Sequence, residues 1–113
     1  MSNIFKKIIN KEIPTDFLYE DNLCIAINDI NPAAPVHVLI IPKKEIQTIN
    51  DINEDDINIV GHLVYVAKII AKKNMIDNDG FRLVFNCNEN GGQTVYHLHL
   101  HLLGGKKLNR LIG

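Results

Sequence analysis

The chain has 113 residues, of which 12 are Lys or Arg and 13 are Asp or Glu, and its formal net charge is −1. This length supports one small domain with a sizeable core, so residues 1–113 are treated as a single domain. The small net charge argues against strong general attraction to nucleic acid or to anionic membranes, and the hydrophobic and charged fractions of 46% and 22% are typical of an ordinary globular domain.

Neither the apolar runs nor the cysteines of the sequence indicate a membrane or secreted protein. No apolar run approaches the roughly 20 residues of a membrane-spanning helix. The first residues, MSNIFKKIINKEIP, interrupt their apolar positions with lysines and lack the apolar core of a signal peptide. Cys24 and Cys87 form no CxxC pattern and are interpreted as reduced thiols. We therefore expect a cytoplasmic protein.

The first half of the chain predicts one short helix followed by three strands. Asn3 is a suitable cap for a helix with an apolar side that includes Phe5. Residues 17–20 and 23–28 flank a short Asp-Asn turn and predict a β-hairpin. Residues 36–41, VHVLII, are strongly β-branched and predict a third strand, which ends at Pro42.

The second half predicts one long helix and two further strands. Acidic residues crowd the start of residues 54–74 and lysines lie near the end, which suits the dipole of a helix. Apolar residues at helical spacing mark its expected buried side, namely Ile57, Val60, Val64, Ala67 and Ala71. Residues 81–87 and 95–103 are the last two strands. The order predicts an α+β domain with one meandering, mainly antiparallel five-stranded sheet, and we expect the helices to cover one of its faces.

The last predicted strand contains the sequence YHLHLHLL, residues 96–103. Alternate side chains of a strand leave on opposite faces, so His97, His99 and His101 are expected to line one face and the leucines the other. Imidazole acts near neutral pH as nucleophile, acid, base or metal ligand. Three imidazoles on one face need partners, which packing alone does not supply.

The residues around this strand suggest a phosphate site. A glycine-containing loop, GGQT at residues 91–94, directs backbone N–H groups towards an anion, and the Thr94 hydroxyl adds another donor. Asn86 ends the preceding strand, and His37 interrupts an otherwise apolar one. A Gly-Gly pair alone is weak support, but it is followed here within five residues by the three histidines.

The sequence GGQTVYHLHLHLLGG, residues 91–105, resembles the signature of the histidine-triad (HIT) proteins, His-φ-His-φ-His-φ-φ with φ apolar. Its final Gly-Gly is similar to that of the Hint branch, the purine nucleoside phosphoramidases also described as protein kinase C-interacting proteins. The resemblance continues upstream in DI at residues 29–30, PVH at 35–37 and IPKK at 41–44. It covers nearly the whole chain.

This resemblance implies a hydrolase that binds AMP or GMP and cleaves purine nucleoside phosphoramidates at the α-phosphate. His99 would be the nucleophile and carry a covalent nucleotide that water then removes, with a backbone carbonyl accepting from its other ring N–H. His101 would stabilise the phosphate oxygens. His97 and His37 would form a relay, and Thr94 would bond the phosphate or the leaving amine.

Further substrate contacts follow from the same resemblance. They are Asp29 for the ribose diol, Ile27 and Ile30 for the base, and Asn86 with the backbone of Gly92 and Gln93 for the phosphate. No cofactor and no metal is required. The family also forms homodimers through the long helix and an edge strand, so the sheet would extend across two copies of the chain.

Two other functions remain open at this point. One is a nucleotide-binding or scaffold protein with little catalysis. The C-terminal sequence favours this alternative. Many Hint proteins end with an aromatic residue followed by prolines, whereas this chain has KKLNRLIG after Gly105. The other is a metalloenzyme with ligands from the triad and His37. We expect no carboxylate beside the triad, which argues against this metal site. Lys43 and Lys44 are expected to be solvated, and no role is assigned to His62.

Overall fold

The computed structural model describes residues 3–110 and confirms an α+β domain with one five-stranded antiparallel sheet. The elements are α1 (Ile4–Ile9), β1 (Tyr19–Glu20), β2 (Cys24–Asn28), β3 (Val36–Pro42), α2 (Ile57–Lys73), β4 (Phe81–Val84) and β5 (Leu100–Gly104). Two 3₁₀ turns, Ile49–Asp51 and Glu54–Asp56, precede α2. The end of the atypical C-terminal segment, residues 111–113, lies outside the described residues. Among the helices that the structure describes, none has the length and apolar character needed to cross a membrane.

The strand order places the histidine-bearing strand inside the sheet. The order is β1-β2-β3-β5-β4, because α2 carries the chain to the far edge, where β4 lies, and β5 returns between β3 and β4. In the register of β3 and β5, Leu39 lies opposite His101 and His37 opposite Leu103. His37 and His101 are therefore diagonal neighbours on the same face of the sheet, within reach of long side chains.

The two helices cover opposite faces of the sheet, so the prediction that both cover one face is wrong. Cys24 and Ala26 of β2 pack in the cluster beneath α2, whereas Ile25 and Ile27 pack in the cluster that contains Phe5 of α1. The physical reason is the side-chain alternation of β2 and β3, in which His37 is the one polar side chain among the buried positions. Both faces of the sheet must therefore be covered.

The buried side of α2 differs from the predicted side. The buried residues are Leu63, Val66, Ala67, Ile70 and Ala71, so of the predicted stripe only the two alanines are buried. Ile57 is 63% and Val64 43% exposed. The helix is apolar on more than one side, and spacing alone does not show which side faces the sheet.

The start of α2 is fixed by an ion pair that the sequence does not predict. Asp56 is 1% exposed, and its Oδ1 lies 2.5 Å from Nζ of Lys44. Lys44, which was expected to be a solvated loop residue, thus neutralises a buried carboxylate. The Asp56 carboxylate also accepts from the backbone N–H of Asn53 at 3.0 Å, so the buried acid is satisfied.

The final strand is shorter than predicted. It starts at Leu100, so His97 and His99 lie in the segment before it, and β4 ends at Val84 and not at residue 87. The alternation of side chains nevertheless persists. Leu100 and Leu102 pack in the cluster beneath α2, whereas the rings of His97 and His99 lie near Phe5 of α1 on the other face. The prediction of opposite faces for the leucines and histidines therefore survives, although the ladder of strand hydrogen bonds does not extend so far.

Candidate active site

A cavity of about 290 Å³ opens between α1, the end of β2 and the start of β5. It brings together six of the predicted site residues: Ile27, Asp29, Ile30, Thr94, His99 and His101. Residues far apart in sequence meet here because β2, β3 and β5 are adjacent in the sheet, with α1 above them.

His99 lies at the base of the cavity, 8% exposed, with its ring held on two sides. The ring of Phe5 packs against it in a T-shaped arrangement, with 4.9 Å between ring centroids. Nδ1 lies 2.7 Å from the carbonyl oxygen of His97. A carbonyl only accepts, so Nδ1 carries the proton of the neutral ring and Nε2 carries the lone pair. Burial lowers the pKa of His99 below its ordinary value. The expected backbone carbonyl that fixes the tautomer is thereby identified as that of His97.

His101 has the opposite arrangement, which is set by a chain of hydrogen bonds. The backbone N–H of Ala33 donates to Nδ1 of His37 at 3.0 Å, so the neutral His37 ring carries its proton on Nε2. That Nε2 lies 2.9 Å from Nδ1 of His101 and donates to it. His101 therefore carries its own proton on Nε2. Burial, together with the nearby rings of His99 and His37, lowers the pKa of His101 to about 4, which keeps the ring neutral near pH 7.

A carboxylate lies beside these rings, contrary to expectation. Oδ2 of Asp29 is 3.4 Å from Nε2 of His37, and Oδ1 accepts from the backbone N–H of Asn31 at 2.8 Å. Asp29, His37 and His101 together have the ligand types of a divalent-metal site. Both ring nitrogens of His37 and Nδ1 of His101 are already used in the hydrogen-bond chain from Ala33, so a metal bound by His37 would have to replace one of these hydrogen bonds.

His97 does not contact His37, so the predicted relay between them is wrong. The register places His37 diagonal to His101, and His97 precedes the start of β5 at Leu100. His97 is instead completely buried beneath α1. Its Nε2 donates to the carbonyl of Pro42 at 2.8 Å, and Nδ1 lies 2.7 Å from the side-chain nitrogen of Asn3. Burial lowers the pKa of His97, so this ring too is neutral.

The predicted phosphate donors of the glycine loop are engaged within the loop. The backbone N–H of Gly92 donates to Glu89 at 3.0 Å, and that of Gln93 donates to Asn88 at the same distance. The side-chain amide of Asn86 donates to the carbonyl of Gly91 at 2.7 Å. None of the three residues Asn86, Gly92 and Gln93 is among those that line the cavity. Thr94, in contrast, is exposed at the cavity rim.

Two residues of the site carry no signal in the sequence that would have identified them. Ala33 acts through its backbone N–H, which is independent of residue type. Phe5 appears in the sequence only as an apolar position of a short helix. Asn3 was predicted as a helix cap, which is confirmed by its Oδ1 accepting from two backbone N–H groups, but its contact with His97 joins residues 94 positions apart.

Comparison with known proteins gives consistent matches along the chain. The family model described as scavenger mRNA decapping enzyme C-term binding matches residues 2–111. A purine nucleoside phosphoramidase of Escherichia coli (strain K12) is 48% identical over 109 residues, which are 96% of this chain and 92% of that protein. An uncharacterized HIT-like protein of Buchnera aphidicola subsp. Baizongia pistaciae is 50% identical over 109 residues, covering 96% of this chain and 97% of the relative.

Solved structures agree with these sequence matches. The crystal structure of a HIT family hydrolase from Legionella pneumophila Philadelphia 1 superimposes with a TM-score of 0.95 at 47% identity, covering 99% of this chain and all of that one. A histidine triad protein from Clostridium difficile gives a TM-score of 0.94 at 47% identity, over 98% and 96% of the two chains.

Proposed function

This chain belongs to the histidine-triad (HIT) family, and from that premise we propose that it hydrolyses purine nucleoside phosphoramidates at the α-phosphate through a covalent nucleotide on His99. One observation carries the proposal. Two neutral imidazoles with ring centroids 4.9 Å apart face one cavity in opposite states, His99 with a free lone pair and His101 with an N–H. A nucleophile beside a donor for phosphate oxygens is the arrangement that transfer of a phosphoryl group needs.

In the first step, Nε2 of His99 forms a bond to phosphorus and the phosphorus–nitrogen bond to the amine breaks. The amine leaves with one additional proton, which comes from solvent, and we assign its delivery to the hydroxyl of Thr94, which is exposed at the cavity rim. The imidazole becomes positively charged, and its Nδ1–H remains bonded to the carbonyl of His97. His101 donates its Nε2–H to the phosphate oxygens.

In the second step, water attacks phosphorus and the bond to Nε2 breaks. One proton of that water returns to solvent, so His99 is neutral again and a nucleoside monophosphate is released. The neighbouring Asp29 is suited to the ribose hydroxyls, since a carboxylate accepts from two donors. Ile27, which is buried, and Ile30, which is 91% exposed, are proposed to enclose the purine from two sides.

The pH dependence of kcat/KM tests the neutral state of the free enzyme. Because the pKa of His99 is lowered, the neutral nucleophile persists to lower pH than a free imidazole would, and activity is lost only as pH falls through that lowered value. We expect the midpoint of the acid limb of kcat/KM, corrected for uncatalysed hydrolysis, to lie below the value of about 6.5 of a free imidazole. An acid limb with its midpoint at about 6.5 or above would show an ordinary, solvated imidazole instead.

We also propose that the protein is a homodimer formed through α2 and β4. The outer side of α2 exposes Ile57, Val64 and Tyr65, and among the described strands β4 pairs only with β5, so its other edge is open. Tyr65→Glu is expected to convert the dimer to monomer in light scattering coupled to size-exclusion chromatography. Leu23→Glu, at an exposed apolar position in the β1–β2 turn, is the matched control and should remain dimeric. A wild-type monomer at micromolar concentration would contradict the proposal.

A further inference from the structure

The side chain of Asn3 joins the start of α1 to the buried histidine of the triad. Its Oδ1 accepts from the backbone N–H groups of Phe5 at 3.1 Å and Lys6 at 3.2 Å. These two donors fix the orientation of the amide, so Nδ2 necessarily faces His97, whose Nδ1 is 2.7 Å away. A single amide thus caps a helix and contacts a residue at the other end of the chain.

This contact is compatible with only one state of the His97 ring. The carbonyl of Pro42 accepts from Nε2, so in the neutral ring Nδ1 is the acceptor that the Asn3 amide requires. A protonated ring would present a second N–H to the amide donor, which is repulsive. Two charged groups influence the pKa of His97, Glu45, which raises it, and Lys6, which lowers it, and they pair with each other at 3.6 Å. Neither therefore replaces the amide in setting the state of the ring.

The contact also reaches the proposed nucleophile by two routes. The carbonyl of His97 accepts from Nδ1 of His99 at 2.7 Å. Phe5, two residues after Asn3, packs edge-on against the His99 ring at 4.9 Å and lies 6.2 Å from that of His97. Movement of the helix start would therefore shift both the backbone acceptor and the aromatic ring that hold the nucleophile.

We propose that Asn3 is a positioning residue: its amide holds the buried, neutral His97 ring with its proton on Nε2, and through His97 and Phe5 it holds His99 in its reactive orientation. The kinetic part of this inference rests on the proposed function. The structural part, the state of the His97 ring, does not. Asn3 touches no part of the cavity itself, so its removal should lower kcat more than it raises KM.

Two variants separate this role from helix capping. Asn3→Asp keeps a good cap but replaces the amide donor by an acceptor. Asn3→Ser also keeps a cap, but its side chain is shorter than the amide that spans the distance to His97. Both are expected to unfold close to the wild-type temperature. Their kcat should fall by about 10-fold or more, with KM within about two-fold, because a misplaced catalytic group costs rate even when the fold is intact.

Ring ¹⁵N and ¹H NMR spectra of His97 at neutral pH provide the readout that a purely structural role would not change. The wild-type ring should show a proton on Nε2 alone, and Asn3→Asp should add a proton on Nδ1, because the new carboxylate accepts it. A wild-type proton on Nδ1, or an unchanged ring state in Asn3→Asp, would overturn the inference. Wild-type kcat in both variants would equally overturn it.

The two proposals fail in different ways. A wild-type protein without phosphoramidase turnover would overturn the proposed function, and the NMR measurement would still decide whether Asn3 sets the state of His97. Turnover that is present but insensitive to both variants would remove Asn3 from the account and leave the role of His99 intact.

Discussion

His99→Ala is expected to lower the turnover of an adenosine phosphoramidate by about 10⁴-fold or more, because it removes the only atom proposed to bond to phosphorus. Nε2 of His99 has a lone pair because Nδ1 donates to the carbonyl of His97, and no other side chain in the cavity is held in that state by a backbone acceptor that the structure describes. Steady-state kinetics with an amine-release assay measures the loss. Circular dichroism and thermal unfolding establish that the variant is folded.

The matched control is His62→Gln, which removes an imidazole from α2 on the opposite side of the sheet. His62 contacts Asp21 through Nε2 at 2.5 Å and lines none of the active-site cavity. Its variant should retain wild-type kcat, so a general effect of losing a histidine is separated from loss of the nucleophile. A folded His99→Ala protein that turns over at a rate near wild type would remove His99 from the mechanism.

His101→Ala is the second large effect, with an expected fall in kcat of about 10²-fold to 10³-fold, as for loss of one donor to a developing anion. The loss is smaller than for His99 because the nucleophile remains. The neutral His101 ring offers its Nε2–H to the phosphate, since its Nδ1 accepts from His37.

His101→Gln distinguishes the effect of the hydrogen-bond donor at this position from the effect of side-chain size. Its side-chain amide supplies an N–H of similar reach, so the variant should retain more activity than His101→Ala. His101→Ala and His101→Gln with equal kcat would mean that the N–H does not act on the phosphate. A loss from His101→Ala as large as that of His99→Ala would mean that the two residues act as one unit.

The alternation of three histidines with three leucines was sufficient to place the site on one face of a sheet. The prediction succeeded because the face on which a strand side chain lies depends only on its spacing, and Leu100 and Leu102 are buried on the α2 side. The extent of the strand was not predictable from the same pattern. Whether residues 95–99 join the sheet depends on where the adjacent strands end. Leu98 donates its N–H to the carbonyl of Ile46, which lies in a loop and not in a strand.

The partners of the histidines required the strand register. The family resemblance implied His97 as the partner of His37, but the pairing of Leu39 with His101 brings the last histidine into contact with His37 instead. The donor that orients His37 is a backbone N–H of Ala33, which any residue type except proline would supply. The buried face of α2 was missed for a related reason, since an apolar residue such as Val64 serves either a core or a surface.

The stereochemical course at phosphorus tests the covalent step most directly. An adenosine phosphoramidothioate of one configuration at phosphorus is hydrolysed in ¹⁸O-labelled water, and the configuration of the thiophosphate product is determined by ³¹P NMR. Attack by Nε2 of His99 and then by water are two in-line displacements, each of which inverts phosphorus, so we predict overall retention. Overall inversion would show that water attacks the substrate in a single displacement, and it would contradict the nucleotidyl-histidine on which this account depends.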